Sequence, residues 1–289
     1  MRSQLFLTSI LIIFSLTTSN AQYKRSKSKK FTKHEKLQYT AGLGLGSYYG
    51  DLCDGFDCMQ FRPNFGIGAI YRFLPNISAR ADIAYFRLYS EDVHTVRNLN
   101  FRSWNLEASV GLQYDLYSYS RHFRKRKKIQ PYGFASIGAA YYSPKGEDPL
   151  TGEWVDLRKL RTEGQATPYT PITIIVPYGG GIRYKFKPKY DFIFELGYRM
   201  TFTDYLDDVS GPKYADLNTF VDPVAARMSL KTTDVSGSTS YGESYQGQLR
   251  GNNKDNDGYF IFQFKVRYVV GAKNLTFKGK HPLLKPHHK

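Results

Sequence analysis

The chain has no long hydrophobic run. Past its first residues nothing approaches the roughly 18 uninterrupted apolar residues that a transmembrane helix needs, which excludes a helical membrane protein. Cysteine is almost missing, with only Cys53 and Cys58, in "DLCDGFDC". That excludes a disulfide-stapled scaffold. With no His or second Cys pair at ligand spacing, it argues against a metal site as well. In an oxidising compartment the pair is close enough for a local disulfide; two free thiols or an intermolecular bridge remain open. Histidine is scarce at six residues, and acids are outnumbered, with 25 Asp and Glu against 41 Lys and Arg, a formal charge of +16. Runs of helix-forming residues are few. Tyr, Phe and Gly are abundant, at 24, 20 and 25 residues, and this composition favours one large β domain.

The opening, MRSQLFLTSILIIFSLTTSNAQ, sets Arg2 before an apolar core from Leu5 to Leu16, then Ser19 and Ala21 ahead of Gln22. It predicts a cleaved secretory signal peptide over 1–21, too short to span a bilayer. No cysteine follows the cleavage point, which argues against a lipoprotein.

Eight segments then alternate with period two, the signature of β-strands. They fall at 38–50, 61–73, 77–89, 104–116, 131–142, 172–186, 190–203 and 259–270. In 104–116, Leu106, Ala108, Val110, Leu112, Tyr114 and Leu116 oppose Asn105, Glu107, Ser109, Gly111, Gln113 and Asp115. A soluble barrel and a membrane barrel share this pattern but face it in opposite directions. Aromatic residues near the ends of the apolar faces favour lipid outside. So does glycine mixed with Arg, Asp and Glu on the polar faces, because glycine makes room for long paired side chains in a narrow lumen. Arg62, Arg72, Arg80, Asp82, Glu107, Asp115, Arg183, Glu195, Arg199 and Arg267 are the predicted plug. Eight strands leave space for side chains only. The predicted fold is an all-β, eight-stranded antiparallel up-and-down transmembrane outer-membrane β-barrel over 39–272, with a plugged polar interior and long extracellular loops at 143–171 and 204–258. Short periplasmic turns, "LPN", "SRHFRKRKKIQ" and "KPK", put both termini in the periplasm.

With the sides assigned, the positive charge gathers at one end. The N-terminal arm, 22–38, has seven Lys or Arg and one Glu. The turn 121–130 adds six basic residues, Lys187 and Lys189 follow, and the tail 273–289 carries five. The predicted partner-binding face comprises Lys24, Arg25, Lys27, Lys29 and Lys30; Arg121, Arg124, Lys125, Arg126, Lys127 and Lys128; and Lys278, Lys280 and Lys285. A one-signed patch steers association with an acidic partner; a merely solvated rim is the plainer alternative. An exported barrel makes nucleic acid an implausible partner, and the membrane partner is outer-membrane lipid.

Two chemical sites are weighed. His94 with Asp207 or Asp208, in "TFTDYLDDVSG" (201–211), has the residue types of an acid–base pair, but no spacing singles it out. "NKDNDG" (253–258) opens like a calcium loop through Asn253, Asp255 and Asp257, yet Phe264 stands where the closing acid belongs. The reading is of no enzyme, no catalytic residue, no metal and no cofactor.

An ordered set of motifs resembles the PorG-like outer-membrane proteins of the type IX secretion system in Bacteroidota. It runs through "GSYYGDL" (46–52), "VRNLNFRSWNLEASVGLQYDL" (96–116), "PYGFASIGAAYYSPKG" (131–146), "LRTEGQ" (160–165) and "VPYGGGIRYKF" (176–186). It ends with "ELGYRMTFTDYLDDVSG" (195–211) and "RGNNKDNDGYFIFQFKVRY" (250–268). The resemblance implies a non-enzymatic component of that machine, associated with gliding, which helps attach a periplasmic ring of a lipoprotein and its partner protein to the outer membrane. A stand-alone barrel acting as a surface adhesin or ligand binder is the competing expectation.

Overall fold

The computed structural model describes residues 36–92, 97–120, 123–211, 213–231, 250–252 and 254–270. Eight long strands build the wall: β1 (Leu37–Tyr49), β2 (Arg62–Arg72), β3 (Ile77–Glu91), β4 (Asn100–Asp115), β5 (Ile129–Tyr141), β8 (Ile172–Lys185), β9 (Tyr190–Thr201) and β10 (Gly258–Val269). Each pairs antiparallel with its neighbours. Closure comes from β1, whose Leu43 faces Phe65 on one side and Phe264 on the other. No wall strand keeps an open edge, so the backbone amides are satisfied without water. The fold is a closed eight-stranded up-and-down barrel. A short hairpin, β6 (Pro144–Glu147) and β7 (Trp154–Asp156), extends the loop end of β4.

Burial is the reverse of that in a soluble protein. Leu43, Val110, Leu112, Ile137 and Phe264 are 56–68% exposed on the outer face, whereas Arg72, Arg267, Glu107 and Asp115 are at most 1% exposed inside. Apolar surface on this scale is unfavourable in water, and lipid removes the cost. The wall spans a membrane.

The lumen is filled in layers. Near the turns, Asp115 receives Arg72 at 2.7 Å and Arg183 at 2.8 Å, while Arg267 pairs with Asp191. In the middle, Glu195 takes Arg80, Lys265 at 2.8 Å and the Tyr132 hydroxyl at 2.6 Å. Above it Arg199 meets Glu107 at 3.1 Å, and the Tyr259 hydroxyl donates to Glu107 at 2.7 Å. Gly68 gives this plug its room: a Cβ there would lie 2.6 Å from Asp82 Oδ1.

Two expectations need correction. Arg62 does not fill the lumen; it leaves the end of β2, bonds Gln60 at 3.1 Å and stacks over Tyr89 at 4.3 Å. The lumen is also not polar throughout, because Ala84, Phe86 and Leu88 turn inward at the loop end of β3. They join Tyr48, Leu52, Phe101, Tyr142, Leu157, Leu206, Val209 and Met228 in an apolar cluster under the loops. The segments 143–171 and 204–231 are thus largely a folded cap, with helices α1 (Leu157–Leu160) and α2 (Pro223–Ser229) packed into it.

Candidate functional site

At the turn end the basic residues separate into two groups. Arg124, Lys125, Lys127 and Lys128 are exposed on the β4–β5 turn, next to exposed Lys187 and Lys189 on the β8–β9 turn. Arg126 instead folds back: its guanidinium stacks on Tyr119 at 4.2 Å and donates to the carbonyls of Ser120 and Pro188. Lys185 fastens the two turns together, its Nζ donating to the carbonyls of Phe123 (3.2 Å) and Arg126 (2.9 Å). The acids among the described residues at this end, Asp115 and Asp191, are buried in lumen ion pairs. The exposed turn face therefore carries one sign of charge. Lys24, Arg25, Lys27, Lys29, Lys30, Arg121, Lys278, Lys280 and Lys285 lie outside the described residues, as do the signal peptide 1–21 and most of the arm and tail.

At the loop end, "TFTDYLDDVSG" is buried in the cap. The Tyr48 hydroxyl sits 2.7 Å from Asp207 Oδ2 and 2.5 Å from Asp257 Oδ1. Asp207 also accepts from the Val209 amide, and Asp257 from the Leu206 amide. Asp208, with a left-handed φ of 70°, turns its carboxylate to the Thr162 and Tyr169 hydroxyls. Arg250 joins the loops, donating to Glu163 at 2.7 Å and to the Asp208 carbonyl at 2.8 Å. Burial raises the Asp207 and Asp257 carboxyls well above the usual range, and their mutual repulsion adds to this at Asp257. Burial moves Asp204 up to about 7 and Asp208 up to about 6. One hydroxyl hydrogen cannot serve two carboxylates, so Asp207 and Asp257 must hold a proton between them.

Among the described residues no group of three or more His, Cys, Asp or Glu side chains is placed to hold a metal ion. His94 lies outside the described residues, as does Asn253. Asp255 is exposed and bonds Asn252, whereas Asp257 points into the cap, so these two carboxylates of the calcium-like loop do not converge. Cys53 and Cys58 are joined in a disulfide with Cα atoms 5.6 Å apart, and Cys53 is packed into the cap cluster. The cap had a sequence signal: from Ala84 to Leu88 both faces of the strand are apolar or aromatic apart from Arg87, so the lumen side stops being polar there.

No protein-family model matches the sequence, and no curated protein matches it. Among solved structures, Neisserial surface protein A, NspA, is 13% identical, with 81% of this chain and 97% of that chain aligned at a TM-score of 0.40. OprG from Pseudomonas aeruginosa is 10% identical over 81% and 96%, with a TM-score of 0.40. Ail of Yersinia pestis, in complex with the heparin analogue sucrose octasulfate, is 11% identical over 80% and 96%, with a TM-score of 0.36. Closed pairing, inverted burial and a salt-bridged lumen define the class: a transmembrane β-barrel of the outer-membrane type. Within that class it is a small, plugged barrel with a folded cap at one end and a basic face at the other.

Proposed function

We propose that this barrel is a non-enzymatic outer-membrane component of a type IX protein secretion system, associated with gliding. Both chain ends lie in the periplasm, and the basic turn face docks on the periplasmic ring formed by a lipoprotein and its partner. The observation that carries this reading is the turn face itself, where Arg124, Lys125, Lys127, Lys128, Lys187 and Lys189 stand exposed with no exposed acid among the described residues. Such a face attracts an acidic surface and resists a basic one. The resemblance of the motif set from 46 to 268 supports this choice of machine. Capture of the ring lipoprotein by the detergent-solubilised barrel, after crosslinking, is the test. The reading predicts salt-sensitive capture, weakened when Arg124, Lys125, Lys127 and Lys128 are changed to glutamine; failure to capture any ring protein overturns it.

A second reading, a stand-alone surface adhesin, is favoured by the apolar tips of the cap. Phe56, Leu150 and Val221 are 82%, 73% and 100% exposed. Deletion separates the two readings, since the first predicts lost cargo secretion and the second altered surface binding with secretion intact.

A further inference from the structure

The outer wall carries a groove of about 590 Å³ at the loop end of β3, β4 and β5, with the β6 hairpin above it. Its floor is a row of cross-strand neighbours, Tyr85, Leu106 and Tyr141, each about half exposed and level with the upper edge of the apolar band. One step toward the loops, Trp104 stacks on Tyr85 with ring centroids 5.1 Å apart and planes at 8°. The roof is cationic. Arg87 lies opposite Trp104 in register, its guanidinium 5.6 Å from the indole, and Lys145 lies directly opposite Arg102.

Like charges placed directly opposite on paired strands repel. Arg102 and Lys145 are held that way, with Arg87 on the adjacent diagonal. No described carboxylate forms an ion pair with any of the three. Three acids share this face: Asp156, opposite Lys145 in register but paired with Lys159 at 3.4 Å, Glu147, which acts on Arg102 only at longer range, and Glu91, which accepts from the Tyr89 hydroxyl. The Arg87 Nε is buried without a hydrogen-bond partner. Three cations kept together over an apolar, aromatic floor suit an anion with a hydrocarbon tail.

We infer that this groove binds a phosphate-bearing lipid of the leaflet on the loop side. The phosphate bridges Arg87, Arg102 and Lys145, and an acyl chain runs down across Leu106, Tyr85 and Tyr141. Arginine forks suit phosphate oxygens, and the aromatic rings sit at headgroup depth, where amphipathic rings are favoured. The inference rests on the membrane-spanning class of the barrel and not on its place in a secretion machine.

The two tryptophans of the chain, Trp104 and Trp154, both flank the site, the second 4.1 Å under the Arg102 guanidinium. Intrinsic fluorescence therefore reports on this groove. The experiment places the full-length barrel in nanodiscs of phosphatidylcholine and titrates in phosphatidic acid carrying brominated acyl chains. Saturable quenching is expected, at least tenfold weaker in dose for the Arg87→Gln, Arg102→Gln, Lys145→Gln variant. A control with Arg124→Gln, Lys125→Gln and Lys127→Gln removes as many charges at the opposite end and should quench like the parent. Heat-modifiable migration on gels confirms that each variant is folded. Equal quenching of the groove variant and the parent overturns the site. Inorganic phosphate that competes away the quenching at comparable concentration overturns the lipid and leaves an anion site. A groove variant that fails to fold is replaced by Lys145→Gln alone, for which unchanged quenching also counts against the site.

Discussion

Arg80 on β3 and Glu195 on β9 meet across the lumen in a two-pronged pair, Nη1 to Oε2 at 3.0 Å and Nη2 to Oε1 at 3.1 Å. Glu195 also holds Lys265, and Asp82 completes the cluster at 2.6 Å from Arg80 and 3.7 Å from Lys265, so two acids balance two buried cations. Glu195→Ala should destabilise the barrel by about 3–5 kcal/mol, because it leaves Asp82 alone against two cations and one buried positive charge uncompensated. Arg80→Met combined with Glu195→Leu should recover much of that loss. Urea unfolding in lipid, followed by the heat-modifiable gel shift, measures both. Equal losses in the single and double variants would rule out the stranded charge as the cause.

The cap should tighten in acid. Burial raises Asp204 to about 7 and Asp208 to about 6 in the folded chain, and raises Asp207 and Asp257 well above the usual carboxylate range. Unfolded aspartates titrate near 4. Groups raised in this way contribute stability that is complete below the unfolded value and is lost as pH rises through the folded ones. Proteolytic nicking of the loops should therefore accelerate between pH 5 and pH 8. Asp204→Asn should flatten the part of the slope near pH 7; a profile that slopes the other way counts against the buried-proton account.

Reduction should loosen the cap and spare the wall. The Cys53–Cys58 bridge closes a loop with a sequence separation of 5, and the chain-entropy relation gives about 2 kcal/mol for a ring that small. Cys53→Ser with Cys58→Ser should raise protease sensitivity between β1 and β2 while leaving the unfolding midpoint of the barrel nearly unchanged.

A side chain at Gly68 should be harmful where its neighbour's is not. Gly68 faces Asp82 and Thr40 inside the lumen, with no space for a Cβ, whereas Ala69 faces outward. Gly68→Val should cost about 1–3 kcal/mol through overpacking and slow folding into vesicles. Ala69→Val should be close to neutral in the same assay.

The wall was legible because one physical rule, period two with a consistent apolar face, acts on every strand in it. Leu106 to Leu116 against Asn105 to Asp115 is enough to place β4 and its lipid side. The cap was not legible by that rule. Its hairpin strands, Pro144–Glu147 and Trp154–Asp156, are too short to show a period. Its core also draws on residues far apart in sequence, such as Tyr48, Leu206 and Met228. The depth of the aspartates of "TFTDYLDDVSG" was not legible either, because sequence gives composition and not burial. Their burial depends on Tyr48, Thr162, Tyr169 and Arg250 arriving from other loops. The basic turn was legible as charge, but the inward fold of Arg126 depends on Tyr119, whose ring it covers.

Barrel closure has a consequence for the two ends of the chain. The Val270 amide donates to the Leu37 carbonyl at 3.1 Å, beside the paired Gln38 and Val269. The sequences before Lys36 and after Val270 therefore leave the wall from adjacent roots, whatever course each then takes. If the arm and tail dock on the ring as the turn face does in the proposed function, two weak electrostatic tethers rooted that close would act on a common target as a bivalent ligand. Once one had engaged, the other would experience the target at an effective concentration of about millimolar. Moving one root elsewhere on the barrel, as a circular permutant would, should weaken attachment through lost avidity alone, with every charge still present.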